Sequence, residues 1–206
     1  MASGADLSKN LPVPRPRPSL IWLMVLAALV LGVLWRFLPI VTPEVQAIGG
    51  PFELTDASGR RVTNADLAGK PYAVFFGYTH CPDVCPTTLQ DMTDWLTALG
   101  PDAGKLRLVF VTVDPARDTP AALTEYMKAF DPRILALTGT EAEIGKALMA
   151  FRVYAKKVDV KGADYAMDHT AAVYLMDRAG ALRSLIGYGE KPDAAIARLK
   201  ELIDAG

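Results

Sequence analysis

Cysteine and histidine are the scarcest informative residues in this chain of 206 residues, with two of each. So few soft ligands rule out a cysteine-rich disulfide scaffold and a multi-metal cluster. A closed structural zinc site, which takes four nitrogen or sulfur ligands, would need every one of them. Charge of either sign is not in excess: 22 basic residues face 23 acidic ones, for a net charge of −1. That balance gives no reason to expect a nucleic-acid partner. Internal repeats are absent.

Charge is missing in a second, more local sense. From Leu20 to Trp35 no residue is charged, and the apolar run continues past Arg36 to Val41. At about 1.5 Å per residue a helix over 20–41 crosses a hydrocarbon core of roughly 30 Å. Trp22 and Trp35 lie near its ends, where aromatic side chains favour the interface, and Arg36 can reach the headgroups. The run lacks a polar face, which argues against a buried core helix. It is longer than the apolar part of a signal peptide, and only Gln46-Ala47-Ile48-Gly49 offers a weak cleavage site. An uncleaved anchor is therefore expected. Lys9, Arg15 and Arg17 precede the span against Asp6 alone, whereas Arg36 and Glu44 after it cancel. The positive-inside rule then keeps the N-terminus cytoplasmic and exports the remainder. The leader lacks the character of a mitochondrial transit peptide, so the expected location is a bacterial inner membrane with the C-terminal domain in the periplasm.

Four segments follow. Residues 1–19, with prolines at 12, 14, 16 and 18, read as a disordered, extended cytoplasmic tail. Residues 20–41 are the transmembrane anchor, 42–50 a linker ending in two glycines, and 51–206 one globular domain. Within that domain the pattern predicts a hairpin over 52–63, a buried strand over 72–78, and a helix opening at Pro86. A second buried strand covers 106–113, a helix opens at Thr119-Pro120, and a short strand and helix lie near 134–137 and 141–149. A terminal hairpin over 171–186 and a helix from Pro192 close the chain. Alternating strands and helices point to an α/β sheet.

Both cysteines fall in one turn, Gly77-Tyr78-Thr79-His80-Cys81-Pro82-Asp83-Val84-Cys85-Pro86. That turn lies at the carboxyl end of a buried strand, where ligands collect in open α/β sheets. Cys85 stands just before the expected helix, whose free N–H groups and dipole favour a thiolate there. Pro82 and Pro86 limit how far the sulfurs can separate. Two such thiolates suit a soft metal such as Cu(I), or can close into a disulfide. A pair of buried, inert cysteines is the plainer alternative, and the turn placement argues against it.

His169, just before the terminal hairpin, is expected to approach the turn and add an imidazole that suits Cu(II). A single histidine is more often an ordinary polar residue, but its position favours the ligand role. His80 is the weaker candidate and can simply cap the turn. Asp168 can orient His169 or be solvated. Asp83 serves docking or loop polarity, and Met167 is a soft sulfur donor or, by default, core filling.

The turn, together with Val111-Thr112-Val113-Asp114-Pro115-Ala116-Arg117-Asp118-Thr119-Pro120 and Asp168-His169-Thr170, resembles the Sco/SenC family of copper chaperones for cytochrome c oxidase assembly. Most of residues 51–206 match in order and spacing. The resemblance implies a thioredoxin-like fold with an N-terminal transmembrane helix, and copper held by Cys81, Cys85 and His169. It also implies delivery of copper, or of reducing equivalents, to the dinuclear copper A centre of cytochrome c oxidase subunit II. A periplasmic thiol reductase and other copper chaperones are further candidate partners.

Two enzyme readings compete. A periplasmic thiol–disulfide reductase would use Cys81 and Cys85 as its redox pair. Against it stands the spacing, C-x₃-C rather than the C-x-x-C of thioredoxin-type redox motifs. Such reductases also usually place a cis-proline where this chain has Asp168-His169. A peroxidase of the peroxiredoxin type would need an arginine beside the thiolate, for which Arg117 is the candidate.

Overall fold

The computed structural model describes residues 18–37, 47–161 and 164–205. Residues 1–17 of the expected tail, the end of the anchor and most of the linker, with Asp6, Lys9, Arg15, Arg17 and Glu44, lie outside the described residues, whereas Pro18 and Ser19, expected in the tail, are helical. Helix α1 spans Pro18–Phe37. Its Ser19–Arg36 stretch has a mean hydropathy of 2.1 and none of it is buried, so by length and composition it can cross a membrane. From Gln46 onward the chain forms a separate compact unit.

That unit is built on a seven-stranded mixed sheet. In chain order its strands are β1 (Glu53–Asp56), β2 (Arg61–Thr63), β3 (Tyr72–Gly77), β4 (Arg107–Thr112) and β5 (Ile134–Thr138). After a separate ribbon, β6 (Ala155–Asp159) with β7 (Tyr165–His169), come β8 (Ala172–Met176) and β9 (Leu182–Gly187). The spatial order is β2-β1-β5-β4-β3-β8-β9. Strands β3, β4 and β5 run parallel, while β8 lies antiparallel to β3.

Every residue of β3 is buried. An unbroken apolar run such as Tyr72-Ala73-Val74-Phe75-Phe76 suits a strand covered on both faces. Phe75, Phe76 and Phe110 are wholly enclosed. Helix α2 is one turn, Asn64–Leu67; α3 is Val84–Leu99, α4 Pro120–Met127, α5 Glu141–Phe151 and α6 Pro192–Asp204. Leu89, Met92, Trp95, Leu96 and Leu99 form the buried stripe of α3, which packs against α6. On α6 the buried positions are Ala195, Leu199, Leu202 and Ile203, with Ile196 only partly covered.

Two local expectations need correction. Helix α3 begins at Val84, not at Pro86, so Cys85 sits inside its first turn. Pro86 is tolerated because first-turn N–H groups have no intrahelical partner. Second, residues 155–169 form the paired ribbon β6–β7, which the apolar pattern does not announce. His169 is thus the last residue of β7, ahead of the terminal hairpin β8–β9.

Candidate metal centre

The centre forms where β3 ends. Beyond Gly77 the chain turns through Tyr78 and Cys81, with the Cys81 N–H donating to the Tyr78 carbonyl, and enters α3. Gly77 is required by space: a Cβ there would stand 2.8 Å from the Cys85 sulfur and 2.9 Å from the Phe110 ring. Cys85 is fully buried and Cys81 half-buried, and both are free thiols. The ribbon brings in His169. The ligand atoms of Cys81, Cys85 and His169 all lie within 4.8 Å of one another, the one group among the described residues able to hold a metal ion.

Each group is set in a defined state. His169 Nδ1 lies 3.2 Å from the Thr170 carbonyl oxygen, which can only accept, so Nδ1 carries the proton. Nε2 faces Cys85 Sγ at 3.5 Å. The ring is held edge-on by Tyr78 and Phe75, with centroids 5.8 and 6.1 Å away. Cys81 Sγ accepts the Cys85 N–H at 3.3 Å, so the free N-terminal donors of α3 serve Cys81. Hydrogen bonding from the Cys85 thiol, then from His169 and the Asp83 and Cys85 backbone, pulls Cys81 down to about 4. The charged Cys81 sulfur and burial push Cys85 up. The helix start thus favours a thiolate on Cys81 over the one expected at Cys85, because the dipole acts on the sulfur its N–H groups point at.

The turn itself is anchored from below by Asp118. This fully buried carboxylate accepts from the Thr79 hydroxyl at 2.6 Å, the Thr79 N–H at 3.1 Å and the Thr112 hydroxyl at 2.6 Å. Burial raises its pKa, and the threonine bonds work against that rise. Spacing alone does not single out Asp118: it is one acid in a loop, and only the fold places it under Thr79.

The remaining candidates separate clearly. His80 is exposed, its Nδ1 3.0 Å from the Thr79 hydroxyl, and lies outside the three-ligand group. Using all four soft residues in one zinc site is thereby excluded. Asp168 is exposed, so the carbonyl of Thr170, not Asp168, orients the imidazole. Asp83 is an exposed N-cap residue. Met167 is packed against the core, in its default role. Arg117 donates through Nε to Asp114 and through Nη1 to the Tyr165 carbonyl, its Nη2 is buried without a partner, and among the described residues it makes no hydrogen bond to either thiol of the kind a peroxidase arginine would need.

Comparison with known proteins agrees with this geometry. A family model described as SCO1/SenC matches residues 41–204. The mitochondrial protein SCO1 of Saccharomyces cerevisiae is 41% identical over 166 residues, covering 77% of this chain and 56% of its own length. The chain spans about half the length of that relative and of the yeast protein SCO2. Among solved structures, Bradyrhizobium japonicum ScoI with copper bound is similar at a TM-score of 0.71 and 52% identity, over 76% of this chain and 99% of that one. Yeast Sco1 with copper bound is similar at 0.72 and 39%, over 78% and 90%. The chain, with its thioredoxin-like domain and its two thiols and one imidazole at the end of β3, belongs to the SCO1/SenC family.

Proposed function

We propose that this protein is a membrane-anchored copper chaperone of cytochrome c oxidase assembly. Copper is its cargo, held by Cys81, Cys85 and His169 and passed to the dinuclear copper A centre of oxidase subunit II. The observation that carries the reading is the convergence of those three ligand atoms within 4.8 Å. The N–H groups at the start of α3 favour the thiolate on Cys81 before copper arrives. Capture therefore needs the loss of one proton, from Cys85, to give two thiolates for Cu(I). His169 turns Nε2 toward the sulfurs, and the imidazole completes a set that also suits Cu(II). Cys81 and His169 are half-buried and Cys85 is buried, so an incoming ligand of a docked partner replaces one of the two half-buried ligands first. In this reading α1 is the anchor, with its N-terminus in the bacterial cytoplasm and the copper domain in the periplasm.

Metal analysis of the full-length chain after copper loading tests the proposal. One copper per chain in the wild type and none in Cys85→Ser are the expected results. His169→Ala should keep Cu(I) binding and lose Cu(II). No bound copper in the wild type would sink the reading.

A second reading, a periplasmic thiol–disulfide reductase acting on the cysteines of the same target, is favoured by one feature. A half-exposed Cys81 thiolate beside a buried, protonated Cys85 thiol is the arrangement of an attacking and a resolving sulfur. A strongly reducing potential with rapid turnover on a partner disulfide, and no copper taken up, would favour it.

A further inference from the structure

The ribbon that carries His169 is not hydrogen-bonded into the seven-stranded sheet. At its base, the Thr170 N–H donates to the Tyr154 carbonyl, and the Tyr154 N–H to the Thr170 hydroxyl. At its far end it is gripped by residues of the loop between β4 and α4. Asp114, buried, accepts from Arg117 Nε and, at 2.8 Å, from the Tyr165 hydroxyl. Arg117 Nη1 donates to the Tyr165 carbonyl at 3.0 Å. The guanidinium carbon lies 3.6 Å from the centre of the Tyr165 ring, with Lys157 Nζ 3.4 Å from the same ring. The guanidinium also stands 5.8 Å from the centre of the Tyr78 ring. Tyr78 is the residue whose ring meets His169 edge-on, and its hydroxyl is hydrogen-bonded by the Met167 backbone.

Arg117 therefore fills the space between the ribbon and the aromatic wall of the centre. Its guanidinium donates at once to the Asp114 carboxylate and the Tyr165 carbonyl while lying on the Tyr165 ring, a combination lysine cannot reproduce. The two thiols make no hydrogen bond to Arg117 and are placed chiefly by β3, α3 and Asp118. We propose that Arg117, held by Asp114, is the positioning residue that seats the His169 imidazole over the two sulfurs, and thereby sets the preference for oxidised over reduced copper. The inference rests on the copper reading and deepens it.

Arg117→Lys in the full-length chain is the test, with Tyr165→Phe as a milder second variant. Tyr165→Phe removes only the hydroxyl bond to Asp114 and leaves the ring for Arg117 to stack on. In Arg117→Lys we expect Cu(II) affinity to fall at least tenfold while Cu(I) affinity stays within threefold of the wild type. Tyr165→Phe should lower Cu(II) affinity by less than Arg117→Lys does, again with Cu(I) affinity within threefold of the wild type. A readout independent of metal is the nitrogen NMR signature of His169 in the apoprotein. In the wild type it should report Nδ1 protonation, and in Arg117→Lys a broadened or mixed-tautomer ring. Equal losses of Cu(I) and Cu(II), or no change in copper affinity and in the His169 signature, would overturn the proposal. If Arg117→Lys does not fold, the same criteria apply to Tyr165→Phe. A wild type that takes up no copper would refute the chaperone reading alone; the His169 signature would still decide the positioning role.

Discussion

The two thiols and the imidazole come from regions of opposite character. Cys81 and Cys85 follow β3, a strand buried along its whole length between β4 and β8. His169 ends β7, in a two-stranded ribbon whose residues are half-buried or exposed. Close packing makes the first region stiff, whereas a lone two-stranded ribbon has little stability of its own. The difference maps onto the ligands. The sulfurs stand on a fixed floor, and the imidazole is brought to them on an arm fastened by a few polar contacts.

Perturbing the floor should have the largest effect. Asp118→Ala removes the acceptor for three donors in a buried site, and is expected to cost about 3 kcal/mol or more in denaturant unfolding. It should also loosen the thiol turn, so that Cys85 becomes open to alkylation in the native state. Gly77→Ala places a methyl group against Cys85 Sγ and Phe110, an overpacking expected to cost about 1–3 kcal/mol. Copper affinity should fall with it, because the sulfur itself must move. Val158→Ala, in half-buried β6, should change global stability by less than about 1 kcal/mol. Amide exchange in β6 and β7 should nevertheless quicken, with β3 and β4 unaffected. Equal exchange responses in ribbon and sheet would remove the distinction between floor and arm.

A separate consequence of the same contrast is the response to pH. The folded-state pKa of Cys81, about 4, lies below the thiol's unfolded value of about 8.5. A group depressed in this way stabilises the fold fully above the unfolded value, and that contribution is lost as pH falls through the folded one. The melting temperature of the reduced apoprotein should therefore rise between pH 4 and 8.5 more steeply than that of Cys81→Ser. Identical slopes would mean that the thiolate is not on Cys81.

The same contrast governs what can be read from the sequence. The apolar runs of β3 and β4 and the stripe of α3 are legible, because burial on both faces or along one stripe leaves a pattern. The thiol turn is legible from its spacing and its place after a strand. Strands β6 and β7 are not: Ala155-Lys156-Lys157-Val158-Asp159 carries too few apolar positions to mark a strand, and its partner contact is polar. For the same reason Asp114, Arg117, Asp118 and Tyr165 show no periodic signal. Their roles arise from bonds between segments up to 51 residues apart in the chain. The placement of the thiolate on Cys81 follows from which sulfur the α3 N–H groups face, a detail that the spacing of two cysteines leaves open.

The most direct test of the central claim is X-ray absorption at the copper edge on the Cu(II)-loaded full-length chain. The structure predicts two sulfur scatterers and one imidazole in the first coordination shell, with the imidazole lost in His169→Ala and one sulfur in Cys81→Ser. A first shell of oxygen and nitrogen alone, unchanged by either substitution, would contradict it.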